Sequence, residues 1–194
     1  MMRRPRDWFF QKRYAHHALV LETIAGIPGM VGGMLLHLSC LRRIRDDQGW
    51  IQKLLDEAHN EYKHLMTFHA IAEPTFIEQI FIRLGQSLFF IGYFLVYVIY
   101  PPIAHRFVGY LEEEAVISYK EYLEYLKENP AEDIAAPRIA HEYWELGQKA
   151  RLSDVICVII SEEEEHRDVN HQYASLLKKD KRKSKKGKNL RELD

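Results

Sequence analysis

The 194-residue chain carries 27 Lys and Arg against 28 Asp and Glu, a formal net charge of -1, and is 47% hydrophobic and 12% aromatic. That composition describes one domain with enough apolar mass for a core and excludes a disordered or fibrous chain. The balanced charge lacks the broad basic face that phosphate neutralisation needs, so nucleic acid is not an expected partner.

Cys40 and Cys157 form no C-x-x-C pair and no disulfide framework, which fits a reducing compartment and leaves redox work to something other than thiols. Residues 1–13 are basic and aromatic with no small-residue cleavage site after them. The start therefore reads as mature protein, a short segment ahead of the first helix.

Breakers gather at Asp46-Asp47-Gln48-Gly49, Glu73-Pro74, Pro101-Pro102 and across 129–137. Between them run long segments with apolar residues at helical spacing, which predict helices near 14–45, 51–72, 77–100, 103–128 and 151–178, and a shorter one near 138–147. Short connections make neighbouring helices antiparallel. No stretch alternates with period two, and no repeat of fixed period is present.

The first helix is almost free of charge: Glu22 is the only charged side chain in residues 14–41. The third has none from 84 to 104, and from Leu84 to the Pro101-Pro102 break it counts 17 residues. That is roughly 25 Å of helix against about 30 Å of hydrocarbon, so it fits a helix lying in one leaflet or buried in a core as well as a span. Arg42, Arg43, Arg45, Arg83 and Arg106 stand at the edges of the apolar regions, where they could meet lipid phosphates or water. Residues 178–188 hold eight Lys and Arg and one Asp; the tail over 179–194, which takes in nearly all of this stretch, reads as solvated, disordered and able to be drawn to an anionic surface.

A carboxylate three residues before a histidine puts both side chains on one face of a helix. Glu61-x-x-His64 and Glu163-x-x-His166 have that spacing, as do Asp56-x-x-His59 and Asp168-x-x-His171. Glu61 and His64 fall on the apolar stripe of Leu54, Ala58, Leu65, Phe68 and Ala72, and Glu163 and His166 on that of Leu152, Val155, Ile159, Tyr173 and Leu177. The two Glu pairs therefore point inward and the two Asp pairs outward. A buried carboxylate costs several kcal/mol unless it is paired, protonated or metal-bound, which singles out Glu22. A fourth inward carboxylate can come from Glu112-Glu113-Glu114; periodicity alone does not choose among the three, although Val108, Glu112, Ala115 and Tyr119 make one stripe.

Two inward E-x-x-H helices and two more helices with one Glu each are the ligand set of a ferritin-like di-iron carboxylate bundle. Such a set suits iron or manganese with positions open for oxygen chemistry. The expected fold is all-α, a ferritin-like four-helix bundle over 14–178 with an additional membrane-associated helix.

The strings Leu21-Glu22-Thr23, Asn60-Glu61-Tyr62-Lys63-His64-Leu65, Leu111-Glu112-Glu113-Glu114-Ala115 and Glu163-x-x-His166-Arg167-Asp168-Val169-Asn170-His171 resemble the four signature blocks of the alternative oxidases. The likeness runs from about 7 to 173 and includes Pro28-Gly29-Met30-Val31-Gly32-Gly33-Met34-Leu35-Leu36-His37. The resemblance implies a cyanide-insensitive terminal oxidase, a homodimer held on one leaflet, that passes electrons from ubiquinol to oxygen and makes water; since no chain of ionisable groups suggests a proton path across a bilayer, no proton pumping is expected. It implies two non-haem iron ions per chain held by Glu22, Glu61, His64, Glu112, Glu163 and His166, with Tyr119 beside them as a source of a proton and an electron.

The quinol head would meet His17, Leu21, Glu114, Ala115 and Ser118. The family usually has Arg at the place of His17, Thr at that of Ser118 and Asp at that of Glu162. The implied location is a bacterial inner membrane on its cytoplasmic face, or the mitochondrial inner membrane on its matrix face. Two other readings use similar ligands: a membrane-associated di-iron hydroxylase of a quinone precursor, and a ferritin-like iron-binding protein.

Overall fold

The computed structural model describes residues 14–72 and 74–191, with side chains as far as Lys179. The expected 1–13 segment and most side chains of the basic tail lie outside the described residues. Six helices follow one another: α1 (Tyr14–Arg43), α2 (Trp50–His69), α3 (Phe76–Ile99), α4 (Pro101–Glu128), α5 (Arg138–Trp144) and α6 (Leu152–Arg191). Among the described residues the only extended pairing is an isolated bridge between Ala135 and Arg151. The chain is thus the expected all-helical bundle.

The boundaries have local causes. Ile44, Gln48 and Gly49 take φ of 46°, 58° and 80°, which ends α1 at Arg43 rather than 45. The side chain of Asp46 accepts from Gln48 N at 2.8 Å, and that of Asp47 from Ile51 N at 2.8 Å, fixing the turn into α2.

Thr75 and Glu78 form a reciprocal capping box that starts α3, satisfying two amides that a helix end leaves free. At Tyr100 the chain is extended (φ −153°, ψ 83°). The two prolines that follow open α4 rather than lying in the break, since proline's fixed φ and missing N–H suit a first helical turn. Glu145, at φ 51°, stops α5 at Trp144 instead of 147. Helical backbone in α6 runs on from 178 to Arg191.

The helices pack as two close pairs, α1 on α2 and α4 on α6, with α3 against α1 and α4, and α5 against α2. Gly29 makes the first pair close: a Cβ there would strike Leu54 O and come within 3.0 Å of the Ala58 Cβ. That approach lets a side chain as short as that of Glu22 reach the polar atoms of α2. One apolar cluster surrounds Phe68, Tyr119, Leu152 and Ile156, and a second joins Val31, Tyr93, Tyr97, Ala104 and Val108. The site described next lies among these helices.

α3 differs from the other long helices. Of its 24 residues only Tyr93 and Tyr97 are buried, while Phe76, Ile77, Phe81, Leu84, Leu88, Ile91, Leu95 and Ile99 are exposed. By length and composition both α1 and α3 are apolar enough to cross a membrane. Gln86 donates to Thr23 O at 2.7 Å and thereby fastens α3 along α1.

Candidate metal centre

Four helices of the bundle each bring a carboxylate inward, and of the Glu112, Glu113 and Glu114 triplet it is Glu112 that is buried. Glu22, Glu61, His64, Glu112, Glu163 and His166 are all buried, at 5%, 1%, 0%, 5%, 1% and 7% exposure. One ligand atom each from Glu22, Glu61, His64 and Glu163 fits within 4.8 Å of the others. Nδ1 of His64 faces Glu163 at 3.2 Å, Glu61 at 3.4 Å and Glu22 at 3.8 Å. His166 flanks this group, with Nδ1 2.7 Å from Glu61 and 3.9 Å from Glu163. Glu112 borders it from α4, where burial, then the charges of Glu163 and Glu61, raise its pKa well above the ordinary carboxylate value.

Partner atoms are missing here to an unusual degree. Glu22 Oε2, both oxygens of Glu61, His64 Nδ1, Glu163 Oε2 and His166 Nδ1 are buried without a hydrogen-bond partner among the described residues. Native interiors leave few such atoms, and a buried charge left alone costs several kcal/mol.

The His64 ring shows what is missing. Its Nε2 donates to Glu162 Oε2 at 2.8 Å, so in the neutral ring the Nδ1 lone pair points at three carboxylates. Only a second proton or a cation between them relieves that repulsion. Burial pulls the His64 pKa down, yet Glu162, Glu163 and Glu61 outweigh it and hold it well above the usual imidazole value. His166 behaves alike: burial lowers it, Glu61 and Glu57 raise it, and it stands at about 9.

Burial also pushes Glu61 up, but His166 and His64 prevail and hold it well below the usual range. Glu22 is raised by burial and by the charge of Glu61. Carboxylates and imidazole nitrogens in this mixture fit iron or manganese.

Tyr119 donates to Glu22 Oε1 and is 3% exposed; burial, then the charge of Glu22, keeps its hydroxyl protonated. Of the five expected quinol contacts, His17 and Ser118 meet at 3.2 Å between α1 and α4. Leu21 and Ala115 are half-buried and Glu114 is exposed. Asp56, His59 and Asp168 are exposed as expected. His171 is not fully outward: its ring packs on Gly109, and Nε2 donates to Glu113 at 2.9 Å.

Several polar residues around the cluster escaped the sequence reading. Trp144 donates Nε1–H to both oxygens of Glu162, at 3.0 and 3.1 Å, and so braces the partner of His64. Glu57 is 4% exposed; burial, offset in part by His166 and Asn170, raises its pKa to about 7. Its position one turn before Glu61, on the same stripe, is the signal that could have found it.

Residues 1–175 match the sequence profile of the family described as alternative oxidase. The chain belongs to the alternative oxidase family. It is 55% identical over 167 residues to ubiquinol oxidase 1b, mitochondrial, of Oryza sativa subsp. japonica, covering 86% of this chain and 50% of that protein. To ubiquinol oxidase 2, mitochondrial, of Arabidopsis thaliana it is 48% identical over 192 residues, 99% of this chain and 52% of the relative. To alternative oxidase 3, mitochondrial, of Glycine max it is 51% identical over 165 residues, 85% and 51% of the two chains. The chain spans about half the length of these curated relatives.

Proposed function

We propose that this alternative oxidase chain is a non-proton-pumping terminal oxidase that takes electrons from ubiquinol to oxygen. Two quinols give up four electrons and four protons to one oxygen molecule, leaving two quinones and two waters. The observation that carries this reading is the buried cluster of unpartnered carboxylate and imidazole atoms contributed by α1, α2 and α6, with Tyr119 bonded to its Glu22.

Two iron ions per chain would be held by Glu22, Glu61, His64, Glu112, Glu163 and His166. When bound, they supply the electron storage and oxygen activation that no side chain offers. The side chains do the rest. Glu162 and Trp144 fix the tautomer of His64, so that Nδ1 is the nitrogen that faces inward. Tyr119 keeps a proton at its hydroxyl, bonded to Glu22, and can release it with an electron into the site. Apolar walls from Phe68, Ile156 and Ile159 exclude water from the reacting groups.

The quinol head would lie against His17, Leu21, Glu114, Ala115 and Ser118. An imidazole in place of the family's usual Arg offers a hydrogen bond without a permanent charge. A homodimer held on one leaflet suits a hydrophobic substrate dissolved in lipid, and the exposed apolar side chains of α3 supply the attachment. The relatives are mitochondrial by name, which supports a mitochondrial over a bacterial membrane; the matrix face of the inner membrane is the side we propose.

Oxygen uptake by membranes carrying this chain tests the proposal. Added ubiquinol should drive uptake that persists in cyanide, with two quinols consumed per oxygen. No quinol-dependent uptake, or oxygen atoms recovered in the organic product, would refute it.

A further inference from the structure

A second buried polar chain lies one helical turn from the carboxylate cluster and crosses four helices. Tyr97 on α3, His105 on α4, Asn170 on α6 and Glu57 on α2 are 7%, 1%, 1% and 4% exposed. Tyr97 Oη is 3.3 Å from His105 Nε2, and His105 Nδ1 is 2.9 Å from Asn170 Oδ1. Asn170 Nδ2 donates to Glu57 Oε1 and Oε2 at 3.0 and 3.1 Å, and to the backbone oxygen of His166 at 3.0 Å.

Donor chemistry fixes the sense of the whole chain. The backbone oxygen of His166 can only accept, so the end of Asn170 that faces it and Glu57 must be the amide nitrogen and the other end the oxygen. His105 must then donate from Nδ1, which leaves Nε2 to accept from the Tyr97 hydroxyl. Every member has one available orientation, and the chain ends on the α6 turn that carries His166.

We propose that Glu57, acting through Asn170, is a positioning residue for His166, the chain from Tyr97 holding the turn of α6 that presents the imidazole to the metal site. The inference rests on the reading of His166 as an iron ligand. A network held for packing alone would be cheaper to build from apolar residues. The chemical demand on Glu57 is two acceptor atoms facing one amide NH2. Glu57→Gln keeps one acceptor but sets an NH2 beside that of Asn170 in place of the second carboxylate oxygen, so Asn170 keeps a single bond to position 57 and its hold on the His166 turn is loosened.

Fe(II) added anaerobically to the purified full chain in detergent, followed by near-infrared magnetic circular dichroism of the ferrous ligand-field bands, tests this. Wild type should take up two ions. Glu57→Gln should shift the bands of one ion and weaken its binding about 10–100-fold. Asn170→Ser, which leaves Glu57 in place and breaks only the link to the His166 turn, should shift the same bands, including under conditions where Glu57→Gln is poorly folded. Val108→Ala, a cavity in the adjoining apolar cluster, should lower the melting temperature and leave the bands unmoved.

Wild-type bands and affinity in both polar variants, whatever their stability, overturn the positioning role and leave the iron site standing. A wild-type chain that takes up no Fe(II) overturns the metal reading, and this inference with it.

Discussion

The phenol of Tyr119 on α4 donates a hydrogen bond to the carboxylate of Glu22 on α1, and both residues are buried. The stripe that carries Tyr119 also carries Glu112, two turns earlier, so the phenol is held where oxygen would be reduced. Removing only the hydroxyl separates chemistry from packing. Tyr119→Phe should keep its iron and lose quinol-dependent oxygen uptake by on the order of 10²-fold or more, the range for a positioned proton donor. Near-normal uptake with a melting point lowered by about 1–3 kcal/mol of stability would make Tyr119 a packed aromatic with one buried hydrogen bond.

Protons stand in for metal in the metal-free protein, and the pH dependence has a definite sign. His166 is raised from 6.5 to about 9 in the folded chain, so its stabilisation is complete below 6.5 and lost as pH rises to 9. Glu57, raised from 4.5 to about 7 by burial, keeps a proton that the unfolded chain releases, so stability also declines from 4.5 to 7. Glu61, with its depressed pKa, opposes this below 4.5, and His105, whose pKa burial lowers from 6.5, opposes it below 6.5, where Glu57 and the raised Glu22 and Glu112 act against it. Melting temperatures of metal-free protein should fall between about pH 5 and 9, and Fe(II) loading should flatten the curve and release protons. A metal-free curve that rises over that window contradicts the assignment.

His17, hydrogen-bonded to Ser118, marks the expected mouth of the quinol site. His17→Arg restores a fixed charge and a forked donor. The apparent KM for quinol should drop by a factor worth about 1 kcal/mol, with iron content unchanged. If His17→Ala leaves KM, kcat and inhibition by quinol mimics alone, His17 takes no part in binding.

Attachment by the apolar face of α3 should resist ions, because burial of apolar surface is not screened. High salt should release little protein from membranes and detergent most of it. Protease protection that puts the two chain ends on opposite sides would show that a helix spans the bilayer.

The bundle and its inward carboxylates were legible because burying a carboxylate on an apolar stripe is costly, so Glu22, Glu61 and Glu163 stand out from the other acidic residues. Glu112 needed the family likeness, since Glu112, Glu113 and Glu114 are equivalent to a periodicity argument and only packing against α6 separates them. The supports of the ligands were least visible. Trp144 reaches Glu162 from a short helix whose direction depends on the turn at Glu145. Asn170 joins Glu57 and His105 across more than a hundred residues and sixty-five residues of chain, respectively. Such pairings are set by the order in which helices pack, which one-helix patterns do not contain. α4 began earlier than expected because two prolines that break one helix also start the next.

Metal analysis of the active protein tests the central claim most directly. Wild type purified with its oxidase activity should contain iron approaching two ions per chain, the nuclearity four Glu and two His suit, and Glu163→Ala should lose both the iron and the activity while remaining helical. Active protein with no iron and one zinc ion per chain, or full iron content in Glu163→Ala, would contradict it.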